Sequence, residues 1–456
     1  MKIEARLGLG AATAIVIANM VGTGIFTSTG YQAASLHDPM TILVTWIVGG
    51  VLALCGAAAY AELGAMMPRA GGEYVYLREA YHPVVAVMSG WASLVAGFSA
   101  PIAVAALAFA RYLGAEVPSV ADPWAQKAVA IGLVLAMTSL HAFDTVIGGR
   151  VQAGFTLAKT LLILGFIVAG FAVGHGDWGH FASERGGLHN VWTNNFAVAL
   201  MYVSFAYSGW NAAGYIAGDI ARPERNVPRA LLTGTAVVMA LYLLLNVVFL
   251  YAVPAQVLAS GDGGGPVAEV GDYAARALFG PRAGALLAML IALALVSAVS
   301  AMVMAGPRVY AAMADDAALP RLLAARSRRG VPHVSVLVQG ALAVLIVLIG
   351  KLDQVIRFVG FTLSIFAALT VAAVYVLRAR RPDVSRPYHT FGYPVTPALF
   401  ITLSAWVAYA QIRQHPVESL YVFGVLVLGA AGYVASGNRG GGSALPPSVP
   451  PARVVE

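Results

Sequence analysis

The chain has 456 residues, of which 59% are hydrophobic and 11% are charged, and its mean hydropathy is +0.77. Soluble domains carry about 25% charged residues, so this composition excludes a soluble globular protein and indicates a polytopic membrane protein. The single cysteine, Cys55, excludes an intrachain disulfide, a cysteine-rich metal site and an iron–sulfur cluster.

Apolar runs long enough to cross a bilayer, which needs about 20 residues of helix, follow one another along the chain. We predict twelve spans, at residues 8–36, 40–67, 84–113, 124–143, 148–174, 193–217, 229–252, 281–313, 334–350, 355–377, 394–412 and 418–436. Most of the 28 Lys and Arg residues fall on the side of the N-terminus, which predicts cytoplasmic N- and C-termini. This bias explains the net charge of +7 without a nucleic-acid partner.

The first span contains Asn19-Met20-Val21-Gly22-Thr23-Gly24-Ile25-Phe26 near its centre. Each glycine costs a helix about 1 kcal/mol relative to alanine. Backbone groups freed in a bilayer have no water to bond, so an opened helix needs another partner there. A ligand with a carboxylate and an ammonium would serve. The alternative is an unbroken helix whose glycines pack closely on a neighbour.

The segment after the second span, Gly71-Gly72-Glu73-Tyr74-Val75-Tyr76-Leu77-Arg78, alternates polar and apolar residues. This pattern is typical of a short element lying at the cytoplasmic interface. It serves either as an amphipathic connector or as part of an inner gate.

Lys159 lies in the fifth span, about nine residues or roughly 13 Å of helix beyond Arg150. This depth is near the middle of the membrane, where an unpaired charge costs several kcal/mol. An ionisable residue there is a functional candidate by default. The alternative is a lysine that bonds backbone carbonyls only to hold helices together.

The sixth span carries a second interruption, Ser204-Phe205-Ala206-Tyr207-Ser208-Gly209-Trp210-Asn211-Ala212-Ala213-Gly214. It comes five spans after the first, which is the pattern of two inverted repeats with a binding site between them at the midplane. We predict one transmembrane domain over 1–436. Its repeats cover about 8–174 and 193–377, two further helices cover 394–436, and a disordered tail covers 437–456.

Four stretches resemble the amino acid–polyamine–organocation superfamily of transporters. They are Val21–Phe26, the segment from Ala61-Glu62-Leu63 to Arg78, Lys159, and Phe205–Asn211, and the last is most similar to the L-type amino acid transporter branch. The resemblance covers nearly the whole chain. It implies an all-α membrane protein with the LeuT fold, built from five plus five helices and two C-terminal helices.

The resemblance also implies a substrate site. The backbone N–H groups of Thr23 and Gly24 and the Thr23 hydroxyl would hold a carboxylate, which suits the positive end of a half-helix. Carbonyl groups of Met20, Phe205 and Ser208 would hold an ammonium, and Phe205 would gate the site. The full candidate set is Met20, Val21, Gly22, Thr23, Gly24, Phe205, Ser208, Gly209 and Asn211.

Lys159 falls where sodium-coupled relatives bind sodium, so a fixed ammonium would replace the ion or would titrate and couple transport to protons. Arginine-exchanging relatives carry a tryptophan where we align Ala301 and a glutamate at Asn211, so a guanidinium substrate is disfavoured. Loop 114–123 lacks the cysteine that links animal L-type chains to a glycoprotein, so no disulfide-linked heavy chain is expected.

Together these features predict sodium-independent transport of neutral L-amino acids by exchange or by proton coupling. The expected location is a cell membrane, namely the bacterial inner membrane. No cofactor or metal is expected. A polyamine or cationic amino acid carrier of the same fold is the alternative, and it would need buried carboxylates near the site. A membrane-embedded enzyme is a remote alternative, because His141 and Lys159 do not supply paired catalytic groups.

Overall fold

A computed structural model describes residues 7–69, 71–143, 148–182, 188, 190–261, 263–315, 319–327 and 330–435. The first half contains ten α-helices: α1 (Leu9–Met20), α2 (Gly24–Leu36), α3 (Pro39–Met66), α4 (Glu73–Ala80), α5 (Pro83–Ala92), α6 (Ala100–Glu116), α7 (Pro123–Phe143), α8 (Gly148–Ala172), α9 (Asn194–Ala206) and α10 (Ala212–Tyr215). The second half contains eight: α11 (Pro223–Ala252), α12 (Ala255–Ser260), α13 (Val270–Phe279), α14 (Pro281–Asp315), α15 (His333–Ile349), α16 (Leu352–Arg380), α17 (Val395–Gln414) and α18 (Pro416–Ala435). The predicted tail, 437–456, lies outside the described residues.

Within the described residues, eight helical stretches are long and apolar enough to cross a membrane. The pair α1 and α2, bent by 41° at a short break, makes a ninth candidate. Three shorter apolar helices, in α8, α9 and α15, coincide with the fifth, sixth and ninth predicted spans. The all-helical membrane class is therefore confirmed, whereas the count of twelve spans and the two repeats remain predictions.

Small side chains let the central helices approach one another closely. On α11, Gly234 meets the side chain of Val16 on α1, and Gly50 of α3 meets Met239 on α11. The buried face of α6 is rich in alanine, including Ala103, Ala106 and Ala110. In the part of the chain that the structure describes, extended pairing is limited to one parallel bridge between Leu7 and Ile220.

Candidate functional site

The first helix is interrupted where the glycines predict. α1 ends at Met20 and α2 begins at Gly24, so three residues between them are not helical. The side chain of Thr23, the N-cap residue of α2, does not cap that helix. The residues on either side of Gly22 are buried, with Met20 2%, Val21 1% and Thr23 5% exposed, and Gly22 is half-buried. Burial without regular helix bonds means that other groups must satisfy the backbone.

Two side chains from helices distant in sequence donate hydrogen bonds to carbonyl groups at this break. The hydroxyl of Tyr242, on α11, donates to the carbonyl oxygen of Met20 at 2.6 Å. The ammonium of Lys159, on α8, donates to the carbonyl oxygen of Val21 at 3.0 Å. Lys159 is 5% exposed, so this contact is made away from water. The predicted functional lysine therefore reaches the predicted break directly.

The second interruption lies between α9, which ends at Ala206, and the one-turn helix α10, which begins at Ala212. Its turn is closed by a bond from the Ser208 N–H to the Phe205 carbonyl at 3.0 Å. Gly209 has φ +97°, a left-handed conformation that other L-residues rarely adopt. The serine and glycine of the motif thus form a turn that interrupts the helix inside an apolar run.

The two interruptions lie against each other. A Cβ atom at Gly24 would lie 2.5 Å from the Cα of Ala206, and one at Gly209 would lie 2.7 Å from the carbonyl oxygen of Asn19. Tyr242 contacts both breaks, because its hydroxyl bonds Met20 and its ring packs on Tyr207 with centroids 5.2 Å apart. Backbone donors and acceptors of both breaks therefore converge on one buried region.

The candidate residues divide between these two breaks. Met20, Val21, Gly22, Thr23 and Gly24 form the first, and Phe205, Ser208, Gly209 and Asn211 lie at the second.

The side chain of Asn211 points to a contact that the sequence did not reveal. Its amide donates to Oε1 of Glu73, on α4, at 3.0 Å and to the Tyr215 hydroxyl at 3.4 Å. Tyr60, on α3, donates to the same Oε1 atom at 2.5 Å. The sequence predicts Glu73 only as part of a segment that is a connector or an inner gate, and nothing in its spacing indicates this contact. The connector therefore reaches the second break through a buried carboxylate.

A cavity of about 710 Å³ lies beside the C-terminal half of α2 and beside α9. Tyr31 and Tyr202, whose rings stack at 5.3 Å, belong to its lining. The lining also contains Arg357 and an ion pair between Arg111 and Glu269 at 3.6 Å. The cavity therefore offers both signs of charge near the end of α2 that is predicted to face outward.

Comparisons with known proteins agree with this architecture. The family model described as amino acid permease matches residues 7–431. The mouse (Mus musculus) b(0,+)-type amino acid transporter 1 is 28% identical over 92% of this chain and 85% of its own length. The serine/threonine exchanger of Bacillus subtilis (strain 168) is 29% identical over 89% of this chain and 90% of its own. The human (Homo sapiens) cystine/glutamate transporter is 27% identical over 95% and 85%.

Proposed function

Because this chain belongs to the amino acid permease family, whose members are transporters and not enzymes, we propose that it carries neutral L-amino acids across the membrane without sodium. Transport would proceed by alternating access, either as an exchange or coupled to protons. The observation that carries this proposal is the contact between the two helix breaks, with Lys159 bound at the first of them.

The breaks supply the groups that an amino acid backbone needs. α2 starts within the buried region, and its N-terminal N–H groups carry roughly half a positive charge from the helix dipole. We assign the substrate carboxylate to the N–H groups of Thr23 and Gly24 and to the Thr23 hydroxyl. We assign the ammonium to the carbonyl groups of Met20, Phe205 and Ser208. Phe205, 6% exposed, would then cover the substrate as a gate.

The residues at these breaks suit a substrate whose side chain is neutral. Val21, Gly22, Ser208, Gly209 and the other candidate residues carry no ionisable side chain.

The charged groups nearest the breaks already have partners in the protein. Lys159 donates to Val21, and Glu73 accepts from Tyr60 and Asn211. A polyamine or a cationic amino acid would need a carboxylate with free acceptor positions. The Glu73 carboxylate contacts the second break only through the Asn211 amide and already accepts from Tyr60 as well, so we favour the neutral substrate.

Lys159 explains the proposed independence of sodium. A sodium ion at a helix break is held by backbone carbonyl groups. Here an ammonium donates to one such carbonyl, that of Val21. A fixed positive charge at this carbonyl would make a bound sodium ion unnecessary and would repel it.

The proposal is tested with the purified protein in liposomes, first in sodium-free buffer and then with sodium. Uptake of labelled serine, alanine and leucine, with arginine and putrescine for comparison, is measured with and without amino acid inside, and across a set pH gradient. We expect saturable uptake of at least one of the three neutral amino acids without sodium. Uptake confined to preloaded vesicles would identify an exchanger, and uptake into empty vesicles driven by the gradient would identify proton coupling. A strict sodium requirement, or uptake of arginine or putrescine in place of neutral amino acids, would overturn the proposal.

A further inference from the structure

The carboxylate of Glu73 is buried beneath the second helix break. The residue is 6% exposed and starts α4. Its Oε1 atom accepts from the Tyr60 hydroxyl at 2.5 Å and from the Asn211 amide at 3.0 Å, and the Tyr215 hydroxyl also hydrogen-bonds this carboxyl group. Three donors from α3, the second break and α10 thus meet on one acidic group.

These donors are neutral, which distinguishes Glu73 from the other acidic groups in this region. Among the described residues, the arginines around α4 form their ion pairs elsewhere: Arg78 and Arg381 with Glu79, and Arg378 with Glu62. Burial raises the pKa of the Glu73 carboxyl, and the hydrogen bonds from Tyr60, Asn211 and Tyr215 lower it by less, so that it stays above the ordinary value. The titratable or charged groups on α4 and its flanking residues, on α10, and on the nearby ends of α3 and α16 are Tyr60, Glu62, Arg69, Tyr74, Tyr76, Arg78, Glu79, Tyr81, His82, Tyr215, Tyr375, Arg378, Arg380 and Arg381.

The backbone just before α4 contacts Tyr215, which follows the second break. The N–H of Gly71 donates to the Tyr215 carbonyl at 3.2 Å. Gly72 has φ +50°, and a Cβ there would lie 2.6 Å from the Tyr215 ring. These two contacts fix the backbone next to Glu73 against Tyr215, four residues after Asn211.

We propose that Glu73 is a positioning residue whose carboxylate holds Asn211 and the second helix break in the binding conformation, and that its protonation loosens this hold. A hydrogen bond to an ionised acceptor is roughly twice as strong as one between neutral groups, so protonation weakens the bond from Asn211. Substrate affinity then falls as the pH drops through the pKa of the carboxyl. This inference rests on the proposed function.

The first test measures the KM for amino acid uptake in proteoliposomes between pH 5 and pH 8, with the pH equal on both sides. We expect the wild-type KM to rise by about three- to tenfold toward pH 5. In Glu73→Gln the KM should not depend on pH, because the amide does not titrate. In Tyr60→Phe the midpoint should move to higher pH, because a donor to the ionised form is lost. A merely structural role would not move this midpoint.

Glu79→Gln is the matched control. Glu79 is a carboxylate on the same helix, but it pairs with Arg78 and Arg381. This variant should keep the wild-type pH profile. A Glu73→Gln variant whose KM follows the wild-type profile would overturn the inference. If that variant does not fold, an unchanged midpoint in Tyr60→Phe would overturn it equally.

A second readout needs no substrate and separates this inference from the proposed function. A carboxyl whose pKa is raised by folding stabilises the protein below its unfolded pKa, and this stability is lost as the pH rises through the folded pKa. The apparent Tm of the wild type in detergent should therefore fall relative to Glu73→Gln between pH 5 and pH 8. That result without uptake would reject the transport proposal alone, and parallel Tm curves would reject the titration of Glu73.

Discussion

The ammonium of Lys159 lies 3.0 Å from the carbonyl oxygen of Val21 and is buried with it. This single bond connects α8 to the point where the first helix breaks. A buried carbonyl without a donor costs about 1–3 kcal/mol, and a buried ammonium without an acceptor costs more. Each group therefore stabilises the other. Lys159 thus stabilises the first break, and loss of its positive charge would weaken this stabilisation.

Lys159→Ala should lower the rate of amino acid exchange by at least about tenfold, because the Val21 carbonyl loses a charge-assisted hydrogen bond. The rate is measured as labelled uptake into preloaded liposomes. Lys127→Ala is the control, since Lys127 also donates to a carbonyl, that of Leu348, but at an exposed position. Equal rates for Lys159→Ala and the wild type would show that the bond does not support transport.

Gly24→Val should abolish substrate binding, because its Cβ would lie 2.5 Å from the Ala206 Cα and would force the two breaks apart. Binding is measured as the rise in Tm on adding amino acid. Gly10→Ala is the control, because a Cβ there meets nothing within 4 Å. Substrate-dependent stabilisation that survives in Gly24→Val would contradict the placement of the site.

The sequence predicts the two breaks and the lysine because each conflicts with its surroundings. Glycine, serine and asparagine are out of place inside an apolar helix, and so is Lys159. Hydropathy does not locate the end of a helix, however. The sixth predicted span runs to residue 217, whereas α9 ends at Ala206, because apolar residues such as Trp210 continue through the turn.

The partners of these features could not be predicted. Tyr242 is one of 19 tyrosines, and its hydroxyl meets the Met20 carbonyl only because α11 packs against α1. Glu73 and Asn211 are separated by 138 positions. Such contacts follow from the arrangement of helices in space, which local periodicity does not encode. For this reason the sequence predicts the backbone segments of the candidate site and Lys159, but not the contacts of Tyr242 and Glu73 with those segments.

Tyr242→Phe should destabilise the backbone at the first break without disturbing packing, because the ring still contacts Tyr207 and Trp46. Loss of the hydroxyl leaves the Met20 carbonyl without this donor, at a cost of about 1 kcal/mol or more. We expect a lower Tm and a KM for amino acid raised several-fold, read from thermal unfolding and uptake. Tyr409→Phe, at a residue 56% exposed, is the control. An unchanged KM in Tyr242→Phe would mean that this carbonyl takes no part in binding.

Glu62 and Glu73 are both buried acids near the same end of α3. Substitution by glutamine should lower the Tm at Glu62 but not at Glu73. Glu62 is 1% exposed and accepts two bonds from Arg378, at 2.9 and 2.6 Å, and two from Thr390.

Glu62→Gln leaves the Arg378 guanidinium without its counter-charge, and breaking a buried pair in this way costs about 3 kcal/mol when both partners are fully buried. Arg378 is 23% exposed, so water recovers part of this cost. We expect Glu62→Gln to lower the Tm at pH 7 by several degrees, whereas Glu73→Gln leaves it equal or higher. The comparison uses thermal unfolding of the detergent-purified variants in one buffer. A Tm loss of the same size in both variants would show that the ion pairing of Glu62 and the neutral bonding of Glu73 do not differ in their effect on stability.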